Sequence, residues 1–442
     1  MARRRSRKRL PEGDYSAVIE AMSHDGRGVT RLDGKTVFIH GALPGERVLF
    51  SYSRVSKKHD EGVVSEVLEP SPDRVEPVCE RFGVCGGCSL QHLRSEKQIA
   101  FKQQALIDAL ERIGKVTPQS VEPPLTSQTA GYRRKARLGV KYVAAKQKVL
   151  IGFRERGSSF ITDIEQCPVL HPAVGENLRP LADLIETLSI RDRIPQIEMA
   201  VGDDGVILIF RLLDPLPNEE ADRLIELCER YHWTAYIQEA GPDSVRPLAQ
   251  PLQLFYALPE ERLAFDFLPN DFTQVNAGIN RGMIAQAIAW LQPDGSESLL
   301  DLFCGLGNFT LPLARHAREV TGIEGDRTLV ERARQNARKN GIENVGYHVA
   351  NLYESLEHAV WTRRQYDAVL LDPPRSGALE MMPLIAATGA KRVLYVSCYP
   401  ATLARDAAEL VNRHGYRLLK AGVMDMFPHT AHVESMALFE KR

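Results

Sequence analysis

The chain lacks any run of about eighteen apolar residues, the length a membrane-spanning helix requires, and no apolar region follows its arginine-rich start. A membrane span and a secretory leader are therefore not expected, and the chain reads as cytoplasmic. Cysteine is scarce and odd in number, seven in 442 residues, which argues against a disulfide framework and directs attention to metal binding or catalysis. There is no internal repeat. The chain also lacks net charge, at -1, yet Arg3, Arg4, Arg5, Arg7, Lys8 and Arg9 crowd its first residues. Residues 1–13 are thus expected to form a basic arm able to meet phosphates. With 44% apolar residues, the rest can build several buried cores and is no disordered scaffold.

Beyond the arm, residues 14–68 read as short strands separated by turns (15–21, 26–29, 35–39, 45–52 and 62–68), the pattern of a small β-barrel. Three prolines in 69–77 mark a linker. A helix is expected over 94–114, with Ile99, Leu106, Leu110 and Ile113 on one face, placed to pack on the C-terminal domain. Residues 74–265 mix strands such as 136–143 and 206–211 with a helix over 218–231, an α+β domain. From 266 to 442, strands 298–303, 319–324, 345–351, 366–372 and 392–397 alternate with helices, which implies a Rossmann-like, doubly wound parallel sheet. A terminal antiparallel pair, 416–424 and 433–440, closes the chain. The fold class is therefore multidomain α/β.

The first strand of that sheet runs into Asp301-Leu-Phe-Cys-Gly-Leu-Gly-Asn308, where Gly305 and Gly307 let the backbone approach a ligand ahead of a helix. Gly-x-Gly alone is a weak signal. Here the second strand ends in Glu324, positioned to accept ribose hydroxyls, the third closes with Asn351 and the fourth with Asp372. The third glycine of a dinucleotide fingerprint is missing from Asn308-Phe-Thr310, which favours S-adenosylmethionine over a nicotinamide cofactor.

Cys398 follows the strand 392–397 and precedes a helix with Pro400 near its first position, a setting expected to lower the thiol pKa and create a nucleophile. Glu434 is the candidate base, with His429 as rival. Cys79, Cys85 and Cys88 form Cys-x5-Cys-Gly-Gly-Cys, and Cys167 supplies a fourth thiolate, a set suited to an iron-sulfur cluster or zinc. Four ligands would close the coordination shell, so the role is structural or sensory rather than radical chemistry. Cys228 and Cys304 read as packing residues. Gly131-Tyr-Arg-Arg-Lys-Ala-Arg137 offers an aromatic for base stacking and four cations for phosphates.

Five segments together resemble one family: Asp271-Phe-Thr-Gln274-Val-Asn276, the 301–308 turn, Leu371-Asp372-Pro-Pro-Arg-Ser-Gly377, Ser397-Cys398-Tyr-Pro-Ala-Thr-Leu-Ala-Arg-Asp406, and Asp425-Met-Phe-Pro-His-Thr-Ala-His-Val-Glu434. Over nearly its whole length the chain is similar to the RNA 5-methyluridine methyltransferases, in the bacterial 23S ribosomal RNA branch. That resemblance implies an N-terminal OB-like TRAM β-barrel over 14–68, a central α+β RNA-binding domain carrying a [4Fe-4S] cluster on Cys79, Cys85, Cys88 and Cys167, and a C-terminal methyltransferase domain. It implies S-adenosylmethionine contacts from Gln274, Phe303, Asn308, Glu324, Asn351 and Asp372, with Cys398 as nucleophile and Glu434 as base. The implied substrate is one uracil of 23S rRNA, uracil-1939, methylated at carbon 5; the chain is expected to act as a monomer. One departure stands out: the family usually has Asn where this chain has Tyr399. The competing classes are the same chemistry on transfer RNA or another uracil, a cytosine or protein methyltransferase, and a non-catalytic RNA-binding protein.

Overall fold

The computed structural model describes residues 10–356 and 359–442. Residues 1–9, with the expected basic arm, lie outside the described residues. The chain divides into two compact units interleaved in sequence: one takes residues up to Phe101 with Arg154–Thr162 and Phe427–His432, the other Lys102–Phe153, Asp163–Met426 and Val433–Arg442.

The first unit holds a six-stranded sheet in the order Tyr15–Val18, Arg47–Val55, Asp60–Glu69, Lys35–His40, Gly28–Leu32, Ala21–Met22. Its two edge strands are joined by only Ile19 and Glu20, whose amides bond to Glu46 and Val29, so the sheet must curl on itself. Period-two alternation sends Val37, Ile39, Val48 and Phe50 inward. Phe38 faces out beneath the Arg27 guanidinium, 4.5 Å from its ring. Gly28 sits where a Cβ would come within 2.8 Å of Ala42, so only glycine lets the strand pass. Glu46, fully buried, takes Arg74 Nε at 2.5 Å and Nη2 at 2.7 Å, pinning the segment after the sheet.

In the second unit one sheet follows the order Val245–Pro247, Trp233–Gln238, Val206–Arg211, Gln196–Val201, Lys135–Val143, Lys148–Gly152. Helices Leu178–Glu186 and Asn218–Arg230 bury their apolar stripes, Leu181 and Ile185 in one, Leu224 and Cys228 in the other. A hairpin, Leu254–Leu258 with Leu263–Phe267, precedes the largest sheet.

That sheet has eight strands in the order Val345–Val349, Glu319–Glu324, Ser298–Leu302, Ala368–Leu371, Arg392–Ser397, Glu434–Lys441, Tyr416–Met424, Ser120–Val121. The first five are parallel, as the alternating pattern predicts, and the four inner ones are almost wholly buried because helices cover both faces, whereas the edge strand Val345–Val349 buries only Tyr347. Asn276 caps helix Ala277–Leu291 by accepting from the Ile279 amide, Asp326 caps Arg327–Lys339 through Thr328 and Leu329, and Gly415 at φ +69° ends Pro400–His414. The closing pair does more than cap the sheet. Glu434–Lys441 inserts between Arg392–Ser397 and Tyr416–Met424, antiparallel to both.

The helix expected over 94–114 is α-helical only over Ser95–Ala109 and then makes a π turn, Leu110–Gly114. The wider turn rotates Ile113 off the apolar stripe, leaving it 53% exposed rather than buried as predicted. Gly114 presses so closely on the Ala404 carbonyl that a Cβ would lie 2.6 Å from the oxygen.

Candidate active site

Strand order reverses on either side of Ser298–Leu302, so the crevice at its carboxyl end is the switch point where doubly wound sheets bind ligands. The chain leaves the strand through three left-handed residues, Phe303 at φ +64°, Gly305 at +55° and Gly307 at +92°. For Phe303 that conformation costs about 1–3 kcal/mol, and it aims the ring toward Tyr353, 5.8 Å away. At Gly307 a Cβ would meet the Tyr347 hydroxyl at 2.9 Å. The Gly305 amide donates to Glu324 Oε2 at 3.0 Å, while Oε1 of the same carboxylate accepts from Asp326.

Four acidic groups converge here. Asp301 is buried, accepts from the Thr310 hydroxyl at 2.5 Å, and is pushed up to about 7 by burial, with the charges of Asp372 and Glu324 adding to the effect. Asp372 is also pushed up to about 7 by desolvation. Glu434 rises to about 8, first through desolvation and then through Asp372, with Arg375 and Lys102 pulling the other way. Asn351 lies at the exposed rim, bonded to Glu354 and to the Tyr353 amide; Tyr353 in turn donates to the Gly377 carbonyl at 2.9 Å.

Asn308 is tied into a network that the sequence reading missed. Its Oδ1 accepts from the Tyr256 hydroxyl at 2.8 Å, and its amide exchanges bonds with Asn280 at 2.9 and 3.1 Å. Tyr256 stacks on Phe265 at 4.9 Å, and desolvation keeps its hydroxyl protonated. Tyr256, Asn280 and Gln274 line a shallow cleft that also includes Arg134, Asp203 and Arg281. An Asn one turn inside helix Ala277–Leu291, buried where apolar residues are the rule, was the available sequence signal for Asn280.

Ser397 and Ser435 are register partners in the antiparallel pair, so Cys398 and Glu434 stand next to each other where the two strands end. Tyr399 occupies the N-cap position of helix Pro400–His414 without a side-chain cap; the Ser397 hydroxyl accepts its amide at 3.1 Å instead. The expected lowering of the Cys398 pKa is corrected by the structure. The thiol is pushed up to about 11, by burial and then by the Glu434 and Asp372 charges, with Arg375 opposing. A helix terminus offers about half a charge, which burial and two carboxylates outweigh.

His429 lies in the first unit at φ +67°, its amide bonded to Gln98 Oε1 at 2.9 Å and its carbonyl taking the Ser89 and Leu90 amides. These contacts make it a turn-holding residue. The basic segment differs from expectation too: Tyr132 is 2% exposed and offers no face to a base. Arg134 pairs with Asp203 and Arg137 with Glu198, and Lys135 donates to the Asp271 carbonyl, its pKa lowered to about 8 by burial.

Cys79, Cys85 and Cys88 lie on one loop of the first unit, and Cys167 belongs to the second. No disulfide forms among the described residues, and among them no three His, Cys, Asp or Glu side chains gather as a metal-holding group. Burial pushes the Cys85 thiol up, and nearby groups oppose that push. The Gly87 amide points at Cys85 Sγ at 3.4 Å, and the Arg156 guanidinium lies among the charges of Cys85 and Cys88. Gln91 Nε2 and both ring nitrogens of His92 are buried with no hydrogen-bond partner.

A parallel sheet with a glycine turn at its switch point, acidic strand ends and an adjoining cysteine-carboxylate pair defines a Rossmann-like methyltransferase. The family model of tRNA (Uracil-5-)-methyltransferase matches residues 252–442. The chain is 52% identical to 23S rRNA (uracil(1939)-C(5))-methyltransferase RlmD of Alkalilimnicola ehrlichii, over 99% of each chain. It is likewise 52% identical to the RlmD of Methylococcus capsulatus, over 100% of both. Among solved structures it matches the Pyrococcus abyssi tRNA (uracil-54, C5)-methyltransferase in complex with S-adenosyl-L-homocysteine, with a TM-score of 0.74 and 25% identity, covering 96% of this chain and 100% of that one. The chain belongs to the family of RNA uracil-C5 methyltransferases.

Proposed function

We propose that this protein transfers a methyl group from S-adenosylmethionine to carbon 5 of uracil-1939 in 23S rRNA, the activity carried in the names of its full-length relatives. The single observation that carries the chemistry is the Ser397–Ser435 pairing, which sets Cys398 beside Glu434. Carbon 5 of uracil is too weak a nucleophile to take a sulfonium methyl unaided. Cys398 reacts as its thiolate, its proton lost to solvent; the sulfur adds to carbon 6, the electron pair of the carbon 5–carbon 6 double bond moves to carbon 5, and carbon 5 takes the methyl group of S-adenosylmethionine, with S-adenosylhomocysteine as the leaving group. Glu434 then takes the remaining carbon-5 proton, the freed electron pair forms the carbon 5–carbon 6 double bond, and the carbon–sulfur bond breaks to release Cys398 as thiolate.

Electrostatics support a sulfonium ligand. Asp301, Asp372 and Glu434 are hard to ionise, through burial first and then, for Asp301 and Glu434, the Asp372 charge, so a cation entering the crevice favours their charged forms, where a dinucleotide phosphate would oppose them. Gln274, Phe303, Asn308, Glu324, Asn351 and Asp372 are assigned as cofactor contacts, with Glu324 on the ribose hydroxyls. Cys79, Cys85, Cys88 and Cys167 are assigned to a [4Fe-4S] cluster with a structural or sensory role, supported by the Gly87 amide and the Arg156 cation beside the thiols. The curled sheet of the first unit is assigned as a TRAM-type RNA-binding domain.

The test is methyl transfer from labelled S-adenosylmethionine to unmodified 23S rRNA and unmodified transfer RNA in parallel, with nucleosides read by mass spectrometry. Label as 5-methyluridine in 23S rRNA alone supports the assignment. Label in transfer RNA would move the substrate, and no label from anaerobically purified protein would leave a non-catalytic RNA-binding protein.

A further inference from the structure

The helix Ser95–Ala109 turns an unusual stripe inward: Gln98 is 2% exposed, and Lys102 and Leu106 not at all. A lysine with no exposed surface is costly to bury unless a carboxylate meets it. Lys102 Nζ bonds to Asp425 Oδ1 at 2.6 Å, and that carboxylate is itself 6% exposed. Asp425 directly follows Met424, the register partner of Glu434, so the ion pair sits at the strand end that presents the base. Neither Lys102 nor Asp425 has a part in the reaction described above.

We propose that Lys102 is a positioning residue whose buried ammonium, secured by Asp425 at the strand end that presents Glu434, favours ionisation of Glu434 so that the methylated base can be released from Cys398. The inference rests on the assignment of Glu434 as the base. The groups facing Glu434 are Asp372 and Arg375 from the loop after Ala368–Leu371, Cys398 from the turn after Arg392–Ser397, and Lys102. Asp372 opposes ionisation of Glu434, whereas Arg375 and Lys102 favour it. Arg375 has the larger effect of the two but is exposed, whereas Lys102 is held without exposed surface by its bond to Asp425. The carboxylate accepts the carbon-5 proton only when ionised, so the ammonium acts on the last step, where the carbon–sulfur bond breaks and the double bond re-forms.

The experiment follows decay of the covalent protein–RNA adduct in single turnover across pH, using the full chain and the 23S rRNA fragment that it methylates. The acid limb of that decay reports ionisation of Glu434. In Lys102→Met the limb moves up by about one pH unit or more and adduct accumulates at neutral pH, whereas Lys102→Arg, which keeps the charge, leaves the limb near its original position. Should Lys102→Met fail to fold with Asp425 uncompensated, the double variant Lys102→Met with Asp425→Leu removes both charges and carries the same expectation. An unmoved limb in the neutral variants overturns the proposal, because a merely structural lysine alters stability and not this limb. Glu434→Gln separates the two ideas: if the limb survives that substitution, the base assignment fails, whatever Lys102 does.

Discussion

Ser435 and Ser397 face each other across the antiparallel strands, with the Ser435 hydroxyl donating to the Ser397 carbonyl at 3.3 Å. This contact joins two residues 38 positions apart in the chain and fixes the spacing of their neighbours Cys398 and Glu434. A nucleophile and a base on adjacent strand ends can address neighbouring carbons of one pyrimidine ring, and the two side chains fail in different ways when removed.

Cys398→Ala abolishes methyl transfer and any covalent RNA adduct, a loss of about a millionfold if it resembles other nucleophile deletions. Glu434→Gln slows turnover by about 10²- to 10⁴-fold and traps the methylated adduct, because addition proceeds and elimination stalls. Denaturing gels of protein incubated with RNA and S-adenosylmethionine distinguish the two. Absence of adduct in Glu434→Gln would contradict the division of labour.

Cofactor affinity depends on pH in a predictable direction. Asp301 and Asp372, both pushed up to about 7, lose their charge as pH falls through that value. S-adenosylmethionine binds several-fold more weakly at pH 6 than at pH 8, while S-adenosylhomocysteine, without the sulfonium charge, changes less. Titration calorimetry at both pH values measures the difference, and equal slopes for the two ligands would refute the electrostatic account.

The same acids weaken the empty fold. Between the ordinary Asp value of 3.8 and about 7 the folded chain keeps a proton on Asp301 that the unfolded chain has lost, so stability falls as pH rises across that window. Asp301→Asn keeps an acceptor for Thr310 and removes the penalty. Its Tm is expected to rise by a few degrees at pH 8 and hardly at all at pH 4, with cofactor affinity reduced. Thermal melts at the two pH values check the sign.

Cluster binding separates the cysteines. Cys85→Ala loses iron and the brown colour of anaerobically purified protein, whereas Cys228→Ala keeps both. Cys228 is buried in the last turn of helix Asn218–Arg230, its thiol pushed up to about 12 by burial, and serves packing. A colourless, zinc-containing wild-type preparation would replace iron in the assignment.

Alternating strands and helices after residue 266 made the parallel sheet legible, since apolar runs of strand length between helical periods admit few other folds. The glycine turn and Glu324 were legible for the same reason: their roles depend on neighbours within one β-α-β unit. Tyr256 and Asn280 were not, because their importance lies in reaching Asn308 from 52 and 28 residues away. Tyr132 misled because an aromatic among cations looks the same in sequence whether it faces solvent or the core.

The sequence by itself determined the periodicities, the left-handed turn at Gly305 and Gly307, and the residue types that can serve as nucleophile, base and sulfur ligands. Only the tertiary structure decided what those groups are chemically. The insertion of Glu434–Lys441 on one side of Arg392–Ser397, with Ala368–Leu371 and the following Asp372 on the other, buries Cys398 and sets two carboxylates near it, and burial first and then those charges raise a thiol that its helix alone would have lowered. Charge and burial act through space, so a group's protonation depends on neighbours that the chain delivers from distant positions.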